Sequence, residues 1–178
     1  MLLKLFVVVF LLYISQWVHA KDCQTALLNK LSYSGGYLEP LPEWETYQNL
    51  VIQVSVRYGI LVDNEDQPIQ NPMGSQFVIN GDHEFLMTKD PTIVDHRLLG
   101  RRDVVYFAGY MAVEQGHVTS LMIQETSAYK SNPQNLVRLI FYLESLGLDL
   151  SHTKFSISRN EDPLFEINRE QVMNLFNH

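Results

Sequence analysis

From residue 76 onward the apolar and polar positions alternate in a way that predicts strands. Gln76–Ile79 reads as a short strand, Asn80-Gly81 as a two-residue hairpin turn, and His83–Met87 as the return strand. A longer pair follows, from Val104 to Val113, through a turn at Glu114-Gln115-Gly116, and back from His117 to Glu125. Valine, threonine and aromatic residues dominate both arms. Strict alternation puts Val118, Ser120 and Met122 on one face and Thr119, Leu121 and Ile123 on the other. Gly109 inside the first arm predicts a bulge or a close backbone approach. Together these segments predict a β-meander.

The period then changes. Leu136, Leu139, Ile140, Leu143 and Leu146 recur on one helical face, with Asn132 as N-cap, Pro133 at the first helical position and Gly147 as a left-handed C-cap. Thr153–Ser158 alternates as another strand. Asn168–Phe176 predicts a C-terminal helix with Val172, Leu175 and Phe176 inward, and Asp22–Leu31 a short N-terminal one. Residues 49–62 fit either a helix or a pair of strands, and their β-branched content favours strands. The predicted fold class is therefore α+β: a mostly antiparallel meander packed on one face by a helix, with short helices near both ends.

The first twenty residues read as a signal peptide. Lys4 precedes an apolar run from Leu5 to Ile14, and Val18 and Ala20 occupy the −3 and −1 positions of a cut before Lys21. The run is too short for a membrane anchor, which needs about 20 apolar residues. Asp22 before Cys23 argues against a lipoprotein. The expected organisation is residues 1–20 as signal peptide and 21–178 as one domain, exported to the periplasm or beyond the cell, with no membrane attachment after cleavage.

The 178 residues include 20 acidic and 13 basic ones, giving a net charge of −7. That balance argues against nucleic acid as a partner, because binding phosphates takes a basic excess. The lone Cys23 excludes an intrachain disulfide. Asp63–Asp66 is acidic, but Pro68 stands where a calcium loop needs glycine, so it reads as a solvated turn. The histidines are too dispersed for a zinc motif, and neither metal nor other cofactor is expected. The aromatic run Tyr33, Tyr37, Trp44 and Tyr47 could line a small-ligand site, although pinning the N-terminal arm to the core explains it more simply.

The densest chemistry is Asp95-His96-Arg97 followed by Arg101-Arg102-Asp103. The stretch from His96 to Leu148 resembles a module of bacterial effector-like and toxin-associated proteins. In that module a loop histidine precedes a strand ending in Ala-Gly-Glu, and a Ser-Gly-His-Tyr element leads into a helix. Here the corresponding positions are His96, Ala108-Gly109, Gly116 at the turn, Val118-Thr119 in the return strand and Tyr129. Tyr110 replaces the module's glutamate and Thr126-Ser127-Ala128 replaces its Ser-Gly-His, which removes the acid–base pair. The resemblance implies an exported, effector-like setting. The expected function is an interaction protein binding a protein or peptide partner through His96, Arg97, Tyr110, Ser127 and Tyr129. The competing expectation is a secreted hydrolase or transferase around His96, Ser127 and Tyr129.

Overall fold

The structure, a computed structural model, describes residues 48–92, 96–100, 105–124, 133–158 and 165–176. The expected signal peptide, N-terminal helix, Cys23, aromatic run and Asn132 cap all lie outside the described residues. Among the described residues eight strands form one sheet in the order β2-β1-β4-β3-β5-β6-β7-β8. These are β1 (Val51–Arg57), β2 (Ile60–Val62), β3 (Asn71–Asn80), β4 (Phe85–Thr88), β5 (Val105–Glu114), β6 (His117–Gln124), β7 (Lys154–Ser158) and β8 (Phe165–Asn168). Among the described residues three α-helices accompany them: α1 (Arg97–Gly100), α2 (Pro133–Ser145) and α3 (Arg169–Phe176).

Residues 51–62 form a strand pair. Tyr58 and Gly59 turn it with φ of 52° and 84°, both left-handed, as a tight two-residue hairpin requires. The Asn80-Gly81 turn is wider than the dipeptide predicts. Asn80 N donates to Glu84 O at 3.1 Å and His83 N to Asn80 O at 3.0 Å, so three residues, Gly81, Asp82 and His83, lie inside the closing pair, and the return strand begins only at Phe85. The Asn80 side chain accounts for the extra length: its Oδ1 accepts from Asp82 N and Glu84 N, and its Nδ2 donates to Glu84 Oε2.

The strand order departs from a meander. β4 turns to the outer side of β3, pairs there with β1, and leaves β3 to pair with β5. β7 runs parallel to β6, because α2 carries the chain back to the sheet's starting end in a β-α-β crossover. α2 ends in a Schellman motif: Leu148 N donates to Leu143 O and Gly147 N to Glu144 O, with Gly147 at φ 93°. α3 begins with a reciprocal cap, in which Gln171 N donates to Asn168 Oδ1 and Asn168 N to Gln171 Oε1, both at 2.9 Å. Val172 is buried as expected, while the Leu175 and Phe176 side chains lie outside the described residues.

Leu136, Leu139, Ile140 and Leu143 of α2 share one buried cluster with Phe77, Phe107, Leu121 and Phe155 from four strands. Tyr142 stacks on Phe107 with centroids 6.0 Å apart. The sheet curls, bringing its β2 edge back to the β5–β6 turn, where Leu61 N donates to Gly116 O at 2.8 Å and Gly116 N to Ile69 O at 2.9 Å. The opposite face carries a smaller cluster, Val78, Leu86, Val105 and Ala108, covered by Leu99 of α1.

Candidate functional site

On the face opposite α2, one cross-strand row runs through Tyr110 of β5, Met122 of β6, Ser156 of β7 and Glu166 of β8. Gln76 of β3 opposes Tyr110 on the other side. A neighbouring row contains Ala112, Ser120 and Lys154. Between the rows and the start of β3 lies a cleft of about 270 Å³.

Two irregularities shape this cleft. Asn71 pairs with Val113 but Ser75 with Met111, so Pro72-Met73-Gly74 arches out of the ladder. Pro72 has no N–H to lose, Gly74 takes φ of 85°, and the Asn71 amide bonds the Ser75 hydroxyl across the neck. Met73, 84% exposed, projects at the rim. In β6, Ala112 opposes Ser120 while Val113 opposes Val118, leaving Thr119 as the extra residue. Its hydroxyl donates to Ala112 O at 3.3 Å. This bulge corrects the predicted alternation: Val118 joins Leu121 and Ile123 in the core, while Ser120 and Met122 face the cleft.

Tyr110 separates the cleft from His96. The two rings meet edge to face, 6.5 Å apart, and His96 Nε2 lies 3.1 Å from Gly109 O. A carbonyl only accepts, so Nε2 carries the proton and is unavailable as a base there. Gly109 is the close approach its position predicts. A Cβ there would collide with the Met122 carbonyl and stand 3.1 Å from Phe77 Cε1.

The structure thus brings His96 and Tyr110 together. Arg97 opens α1 beside them, its side chain outside the described residues, as are Ser127, Tyr129, Asp95 and Arg101–Asp103. Sequence reasoning missed Met73, Ser120, Met122, Lys154, Ser156 and Glu166. The signal available for Met73 was Pro72 and Gly74 interrupting a strand; alternation already put Ser120 and Met122 on one face, and Lys154, Ser156 and Glu166 depended on the β6–β7 and β7–β8 registers.

At the far end of the cleft Lys154 Nζ and Glu166 Oε2 are 3.3 Å apart, each side chain about two-thirds exposed. Such a pair is screened and adds little to stability. Among the described residues no group of three metal-ligating side chains converges, and Asp63 Oδ1 instead accepts from Glu65 N and Gln67 N. No helix among those residues is long and apolar enough to cross a membrane. No protein family, curated protein or solved structure matches the chain.

Proposed function

We propose that the chain is an exported, effector-like interaction protein that binds a peptide segment of a partner protein in the cleft between β5 and β8. The observation that carries this reading is the cleft itself: about 270 Å³, bordered by Tyr110, Met122 and the protruding Met73. Ligand pockets for cofactor-sized molecules run to roughly 300–1,000 Å³, so this volume suits a partner's side chain better than a bound cofactor. Thioethers and an aromatic ring form an adaptable apolar wall. His96 acts in this reading by holding Tyr110 in place, with its Nε2 proton committed to Gly109 O.

A random displayed-peptide library selected against the protein tests the site. Enriched peptides are expected to bind the wild type and to lose binding to Ser120→Lys, whose long side chain fills the half-exposed floor without entering the core. Selection of no peptides, or peptides indifferent to Ser120→Lys, overturns the reading. So does a hydrolytic or transfer activity that His96→Ala abolishes. The export component has its own measurement: the intact mass of protein recovered outside the cytoplasm of its host should lack residues 1–20 and begin at Lys21. A full-length mass would refute cleavage.

A further inference from the structure

We infer that the cleft takes one large apolar side chain of an extended peptide, while Lys154 and Glu166 read the peptide unit beside it. The inference rests on the peptide-binding reading above. The cleft is chemically graded along its cross-strand rows. Its β5–β6 half presents Tyr110, Ala112 and Met122 around the small hydroxyl side chain of Ser120, and its β7–β8 half presents Ser156, Lys154 and Glu166.

The charged end sets the polarity of the ligand. A lone cation would select a carboxylate, and a lone carboxylate an ammonium group. A contact pair at 3.3 Å offers a donor and an acceptor side by side with no net charge. The matching ligand group is likewise neutral and dipolar, with a carbonyl for Lys154 Nζ and an N–H for Glu166 Oε2. A peptide unit has that arrangement. Both side chains are mostly exposed, so their mutual attraction is weak enough to exchange for these hydrogen bonds. The apolar half then has room for one side chain, and burying it supplies the larger share of the affinity.

Heteronuclear NMR titration of the full chain tests this with three probes: N-acetyl-L-phenylalanine amide, N-acetylglycine amide and unblocked L-phenylalanine. The blocked phenylalanine is expected to shift Tyr110, Ser120, Ser156 and Glu166, and the glycine probe to leave them unmoved. Lys154→Ala and Glu166→Ala should each weaken the blocked probe by up to about fivefold, the scale of one exposed polar contact. Removing a screened surface pair leaves the fold intact, which circular dichroism checks. No shifts, shifts elsewhere, tighter binding of the unblocked amino acid, or unchanged affinity in both variants overturns the inference. If library-selected peptides still depend on Ser120 in any of those cases, the proposed function stands and only this account of its ligand falls.

Discussion

Thr88 and Gln76 are each almost wholly buried, at 1% and 3% exposure, and their Oγ1 and Oε1 atoms find no hydrogen-bond partner among the described residues. Continuing the β3–β4 register places them opposite one another, in the row that also contains Tyr110. A buried hydroxyl without a partner carries a desolvation cost and returns nothing for it. Thr88→Val keeps the shape and removes that cost, so it should stabilise the fold by about 1 kcal/mol. A denaturant midpoint lower than wild type would show that the hydroxyl is satisfied. Tyr142 gives a second residue-scale prediction. Burial pushes its hydroxyl from 10 up to about 12. Above pH 10 the unfolded chain therefore releases a proton that the folded chain keeps, and stability falls as pH rises towards about 12. Tyr142→Phe should flatten that decline, read from denaturation midpoints across the alkaline range.

Among the elements, α2 ties the larger core together, and Leu143 is fully buried within that cluster. Leu143→Ala should cost about 2–5 kcal/mol, because the packed cluster cannot collapse fully into the space. A change below about 0.5 kcal/mol, the range of surface substitutions, would contradict the packing. This helix was legible in sequence because its signals are local: the leucine spacing, Pro133 and Gly147. The strands of residues 51–62 were legible through their β-branched content. Three features were not. The Asn80 loop widens through side-chain bonds that the Asn-Gly dipeptide does not reveal. The Thr119 bulge reverses the facing of Val118 against Ser120, and no composition signal marks it. The pairing of β4 with β1, and of β7 parallel to β6, is decided by contacts between distant segments. The candidate site inherits this division, since Tyr110 lay in a recognisable strand while its neighbours on β7 and β8 depended on register.

At the scale of the whole molecule, the sheet holds its curl through a small seam where Gly116 meets Leu61 and Ile69. A Cβ on Gly116 would stand 2.9 Å from both Ile60 Cβ and Leu61 O, at a φ of 80° that residues with a side chain rarely adopt. The seam joins segments far apart in the chain, and such contacts gain nothing until the long loop between them has closed. It therefore belongs to the last part of folding, after the β3–β5–β6 ladder has formed. Interactions absent from the folding transition state govern how long the native state survives, not how fast it is reached. Gly116→Ala should accordingly speed unfolding and leave the refolding rate nearly unchanged, a difference visible in the two arms of a chevron plot. Refolding slowed as strongly as unfolding is accelerated would move the seam into the folding nucleus. If the two arms separate as expected, the persistence of the folded state rests on one hydrogen and the room it leaves.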